Sequence, residues 1–183
     1  MDPSSEPNEE LPELGPLSKA DAEAALQTPM HAAGVAFTQA ALDEIVRVTK
    51  GYAYFIQEWG YIAWNKAESS PIDVDVIQRM HNEAVEHLDR NFFRVRFDRL
   101  TPGEQGYLRA LAELGPDPQR SGAVAHILGR ESYEVSTIRE MLIGKGVIYS
   151  PAHGYTAFTV PLFDEYMKRR MALPAPRARK SRK

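Results

Sequence analysis

The sequence predicts a mainly α protein in two parts, a small helical bundle followed by a winged helix-turn-helix with a two- or three-stranded β wing. Three observations carry this expectation. Apolar residues recur at helical spacing in four segments between Leu17 and Leu88. A short helical run, a glycine turn and a longer helical run follow one another over residues 121–146. Two strand-like runs around a further glycine turn come directly after them, at 147–160.

Residues 1–16 are rich in Glu, Pro and Ser and carry a charge of -5, with almost nothing to bury, so a disordered acidic leader is expected there. Residues 17–91 are expected to form the bundle. Ser18 with Asp21 three residues on reads as a helix start, and Ala22, Ala25 and Leu26 then fall on one face to about Thr28. Thr38 to Lys50 repeats Ala41, Leu42, Ile45 and Val46 at helical spacing and stops at Gly51, where a left-handed residue can end the helix. Tyr52 to about Ala67 is apolar nearly all round, as a helix enclosed by its neighbours would be. Asp73 is placed to cap a fourth helix with Val74, Ile77, Met80, Ala84 and Leu88 on its buried face.

Phe93, Val95 and Phe97 alternate with Arg94 and Arg96, the period of a short strand or extended connector. Residues 92–172 are then expected to be the winged helix-turn-helix. Thr101-Pro-Gly-Glu104 is an N-cap, a first-turn proline and a capping-box acid in succession, opening a helix that runs to Gly115. Ser121 to Leu128 and Ser132 to Lys145 are the two helices of the motif, the second turning Val135, Ile138 and Leu142 inward. Residues 147–150 and 155–160 are the wing strands, and a last helix runs from Leu162 to about Met171. Residues 173–183 read as a disordered basic tail.

Charge is graded along the chain. Residues 17–90 carry -5, residues 91–172 carry +2 and residues 173–183 carry +5, so a polyanion would contact the C-terminal half. A groove-reading helix needs Arg, Lys, Asn or Gln on its exposed face. Tyr133, Ser136, Thr137 and Arg139 are the candidates here, opposed by Glu131, Glu134 and Glu140. Arg130 in the turn, His153 and Tyr155 in the wing, and Arg177, Arg179 and Lys180 in the tail are candidate phosphate contacts, which position a protein without specifying sequence. The plainer alternative is that the winged helix only packs or docks on protein.

The segments Leu17–Leu26, Gly51–Gly60, Phe92–Thr101, Gly144–Gly154 and Phe158–Glu165 resemble the C-terminal portion of bacterial AAA-type ATPases related to the origin-recognition ATPases. The resemblance spans about residues 15–171, in that family's order of helical lid and then winged helix. It implies that the bundle is lid-like, that an AAA-type ATPase core in cis or in trans is a partner, and that ATP binding belongs to a parent protein only. No Gly-x-x-x-x-Gly-Lys-Ser/Thr loop is present, and Gly144-Lys145-Gly146 is a helix end without the glycine loop or the hydroxyl. No acidic pair for magnesium precedes Leu17, and the helix from Tyr52 has no arginine to sense a terminal phosphate. Two origins stay open: the detached C-terminal part of a larger ATPase, or a stand-alone protein that kept lid and winged helix.

No enzymatic activity, cofactor or metal is expected of this chain. It has no cysteine, and His81 and His87 are six residues apart, too far to share one helical turn. Ser121, Ser132 and Thr101 read as helix caps, since no histidine and carboxylate are arranged to activate them. Tyr52, Tyr54, Phe55, Trp59 and Trp64 invite comparison with a base-stacking platform, but at helical spacing they read as core. The absence of cysteine fits a reducing, cytoplasmic setting, and no apolar run approaches the roughly 20 residues of a bilayer span. The leading expectation is a non-catalytic, DNA-binding winged helix on duplex DNA. The alternative is a protein-interaction module that docks on an ATPase core without contacting DNA.

Overall fold

The computed structural model describes residues 15–174. The expected leader and tail therefore lie almost wholly outside the described residues. The chain divides into two compact units, Met1–Met80 and His81–Lys183, with the division falling inside a helix.

The first unit packs three helices on one another, α1 (Lys19–Ala32), α2 (Gln39–Thr49) and α3 (Ala53–Lys66). Ser18 and Thr38 cap the first two by accepting from the N–H groups of Asp21 and Ala41. α1 runs four residues past its expected end, through Pro29. A proline inside a helix strands the carbonyl four residues back, and here Gln57 of α3 donates to that Ala25 carbonyl at 3.5 Å. Gly60 sets the approach of the two helices, for a Cβ there would lie 2.7 Å from Leu26 Cδ2. Leu26, Leu42, Ile45, Phe55, Ile56 and Trp59 are buried. Phe37 and Ile72 form a lone parallel bridge between the connecting segments. Asp73 accepts from Thr38 Oγ1 and from the Val74 N–H, starting α4 (Val74–Leu88).

In the second unit, residues 93–97 are not a strand. A π-helical turn, Asp89–Phe93, leads into α5 (Arg94–Phe97). The alternation was ambiguous because Phe93 and Phe97 are also four apart. In the helix both fall on the buried face, Val95 is exposed, and Arg94 pairs with Asp98 at 3.3 Å.

α6 (Pro102–Leu114) opens with the expected capping box, Thr101 with Glu104. β1 (Gln119–Arg120), α7 (Ser121–Ile127), α8 (Ser132–Gly144), β2 (Ile148–Tyr149), β3 (Tyr155–Phe158) and α9 (Phe163–Arg170) complete the chain. The strands form one antiparallel sheet in the order β1-β3-β2. α6 packs against α7, α8 and α9. The molecule is thus mainly α, a helical bundle and a winged helix with a three-stranded wing. Two expected caps differ: Arg120 and Glu131, not Ser121 and Ser132, occupy the N-cap positions.

Candidate functional site

The winged helix is built from the inside. α7 buries Val124 and Ala125, and Gly129 at φ +62° turns the chain so that α8 can bury Val135 and Leu142. Tyr107 of α6 is fully buried, and that burial pushes its hydroxyl pKa up against the opposing effects of Thr156, Arg139 and Ser121. Ser121, rather than capping, places its hydroxyl 3.1 Å from that of Thr156.

Arg139 faces this polar cluster instead of solvent. Its Nε donates to Thr156 Oγ1 at 2.8 Å, and its Nη2 donates to Ser150 Oγ at 2.7 Å and to the Tyr155 carbonyl at 2.9 Å. The guanidinium fork therefore fastens α8 to β3 and to Ser150 in the turn after β2, and has few donors left for a base edge. Lys145, following α8, is also engaged. It donates to Glu104 at 2.8 Å and to the Arg99 carbonyl at 3.3 Å. Burial by itself would raise the pKa of Glu104, but the Lys145 ammonium and the Thr101 N–H and hydroxyl outweigh it and hold the carboxyl below its ordinary value.

Of the other sequence candidates, Tyr133 is 76% exposed, and Ser136 and Thr137 are exposed, with Ser136 donating to the Tyr133 carbonyl. They share α8 with Glu140 and with a reciprocal cap in which Glu131 accepts from the N–H of Glu134 while Glu134 accepts from the N–H of Glu131 at 2.8 Å. A helix N-terminus is where a phosphate would be held by free N–H groups and the dipole. At α8 the protein's own carboxylates hold that place. Arg130 is half-buried and makes no ion pair among the described residues, and His153 is exposed at the wing turn. Tyr155 is half-buried beneath Arg120, whose Nε donates to its hydroxyl at 3.3 Å. Arg177, Arg179 and Lys180 lie outside the described residues.

The first unit holds a surface that the sequence reading placed in the core. Phe55 and Trp59 are buried, but Tyr54, Trp64 and Tyr61 are 41%, 38% and 65% exposed. α3 is not enclosed all round. Tyr61 and Trp64 border an open apolar groove of about 350 Å³ between α1 and α3, floored by Leu26, Met30 and Gly60. Among the described residues no cluster of His, Asp or Glu could hold a metal, and no helix is long and apolar enough to cross a membrane.

Residues 90–167, less than half of the chain, match a family described as a domain of unknown function, DUF8462. No match was found among curated proteins. Among solved structures, a variant of RuvB from Thermotoga maritima is similar at a TM-score of 0.37 and 15% sequence identity, covering 85% of this chain and 50% of the RuvB chain. The chain thus spans about half the length of that structure.

Proposed function

We propose that this chain is a non-catalytic assembly module, the lid-like bundle and winged helix of an AAA-type ATPase, that docks on the ATPase core through the aromatic edge of α3. The observation that carries the reading is the exposed pair Tyr61 and Trp64 beside an apolar groove. Exposed tyrosine and tryptophan at the rim of a pocket are the residue types that concentrate binding energy in protein interfaces. The resemblance of residues 15–171 to a helical lid followed by a winged helix supplies the kind of partner. In this reading α8 does not read bases, because its arginine is spent on the wing and its first turn is capped by its own glutamates.

Co-elution of the full chain with a P-loop ATPase core from the same genome tests the proposal. Trp64→Ser and Tyr61→Ser should abolish co-elution without lowering the melting temperature. Complexes that survive both substitutions would overturn it.

A second reading, favoured by Arg130, which makes no ion pair among the described residues, and by the exposed His153, is that the turn and wing hold duplex DNA by its phosphates alone. Binding would then fall steeply with salt and be indifferent to sequence. A titration of random and selected duplexes at two salt concentrations distinguishes the two. Sequence preference lost in Tyr133→Ala would restore base reading by α8.

A further inference from the structure

In the second unit, the π-helical turn and α5 pack beside α9 and enclose a concavity of about 330 Å³ lined by Asp89, Arg90, Arg94, Tyr166, Arg169 and Arg170. Four arginines and one aspartate face one small space, from segments about 80 residues apart in the chain. The cations differ in how firmly they are held. Arg169 is fixed by Asp89, which accepts from its Nε at 3.0 Å and from its Nη2 at 2.8 Å. Arg90 and Arg94 reach only exposed carboxylates on their own helical run, Glu86 at 3.6 Å and Asp98 at 3.3 Å. Such exposed pairs contribute little and exchange readily with water. Arg170 makes no ion pair among the described residues and rests 5.7 Å from the centre of the Phe97 ring.

An independent observation points to a ligand. Tyr166 is only 3% exposed, yet its hydroxyl makes no well-formed hydrogen bond, Arg170 approaching it only loosely. A buried hydroxyl without a well-formed hydrogen bond carries a desolvation cost that ordinary folding avoids. Burial pushes its pKa up and the neighbouring Arg170 cation pulls it down, which sets Arg170 against the hydroxyl.

We propose that this arginine pocket is a phosphate-binding site, in which Arg94 and Arg170 hold the anion and the Tyr166 hydroxyl donates to it once Arg170 turns to the ligand. Guanidinium forks match the oxygens of phosphate and of carboxylate alike. Charge decides between them here. Arg90, Arg94 and Arg169 already face carboxylates, so a further carboxylate would only replace like with like. A phosphate brings more charge and more acceptor oxygens and can take two guanidinium groups and a hydroxyl together. The phosphate can come from a nucleic-acid strand or from a small molecule, and the experiment separates these sources. The site does not depend on the docking of α3, which involves other residues and the other unit.

The test uses the full chain, titrated by calorimetry with inorganic phosphate and pyrophosphate, and by fluorescence anisotropy with a short single strand carrying or lacking a 5′-phosphate. The double variant Arg94→Gln/Arg170→Gln should weaken binding about tenfold or more, since charge-assisted contacts are the strong ones. Tyr166→Phe should cost roughly three- to tenfold, as for one hydrogen bond. Asp89→Asn frees Arg169 and should tighten binding. Preference for the 5′-phosphorylated strand and for pyrophosphate identifies a terminal or small-molecule phosphate, while equal binding of both strands identifies the backbone. The proposal is overturned if wild type binds no phosphate at low salt, if the arginine double variant binds as wild type does, or if an oligoglutamate peptide binds as tightly as the phosphates. Should Tyr166→Phe fail to melt cooperatively, the exposed arginine pair decides alone.

Discussion

Replacing Arg139 with alanine separates a tether from a base reader. The side chain makes three hydrogen bonds to the wing, at 2.7, 2.8 and 2.9 Å. A hydrogen bond from a charged donor contributes about 1.5–3 kcal/mol when its partner is left unsatisfied. The full sum does not apply, because Arg139 is only half-buried and water can replace it at Ser150. Thr156, the fully buried partner, keeps the Ser121 hydroxyl at 3.1 Å. A net loss of about 2 kcal/mol is expected, which for a chain of this length lowers Tm by roughly 4–8 °C. Arg139→Lys keeps the charge but not the fork, so it should fall between alanine and wild type. Thermal unfolding gives the stability change, and hydrogen exchange should show faster exchange at residues 155–158. An Arg139→Ala chain that melts and exchanges like wild type but loses sequence-selective duplex binding would refute the tether and return Arg139 to the groove.

Two further substitutions probe the packing of each unit. Glu104→Gln removes the charge that Lys145 and Thr101 hold and should cost about 1–2 kcal/mol at neutral pH. Because the folded-state pKa of Glu104 is depressed, its contribution is present above the ordinary carboxyl value of 4.5 and is lost as pH falls through the folded value, so the gap between wild type and variant should close in acid. Urea unfolding at several pH values checks this, and a gap that widens in acid would contradict it. Gly60→Ala places a methyl 2.7 Å from Leu26 Cδ2 in a buried contact. Overpacking of about 1–3 kcal/mol against a helix-propensity gain of about 1 kcal/mol predicts a net loss of up to about 2 kcal/mol. Adding Leu26→Val should recover part of it, as a double-mutant cycle would show.

The helices and turns of this fold were legible because their signals are local. Thr101 and Glu104 mark the start of α6 within four residues, and the run from Ser121 through Gly129 to Gly144 states the helix-turn-helix order outright. Residues 93–97 misled because phenylalanines four apart satisfy a strand period and a helix period at once, and only the burial of both on one face decides. The extra turn of α1 depended on Gln57, 32 residues away, meeting the carbonyl that Pro29 strands. The site was harder to read for the same reason. Nothing near Arg139 in the sequence says that it will reach Ser150, Tyr155 and Thr156. Nor does any local pattern bring Arg90 and Arg94 together with Arg169 and Arg170. A signal existed only in the last pair, since adjacent cations at the end of a helix with Tyr166 one turn earlier must share a face with it.

Net charge and topology are weak guides to a polyanion surface when the charges are already committed. Residues 91–172 carry +2, which alone would favour contact with nucleic acid through the helix-turn-helix. The cations on and after α8 are nevertheless consumed internally, Arg139 by the wing and Lys145 by Glu104, while Glu131, Glu134 and Glu140 remain on its exposed positions. A phosphate approaching α8 would meet these carboxylates, two of them already holding N–H groups of the first turn, at short range, where screening by salt is least effective. Arginines held only by exposed carboxylates or by none lie elsewhere in the same unit, Arg94 on α5 and Arg170 at the end of α9, around a buried hydroxyl that Arg170 approaches only loosely. A winged helix with this distribution has its anion-binding capacity displaced from the second helix to the packing of its flanking helices. It follows that the helix-turn-helix order and the arginine pocket must be tested separately, because substitutions in α8 report on the wing and substitutions at Arg94 and Arg170 report on the anion.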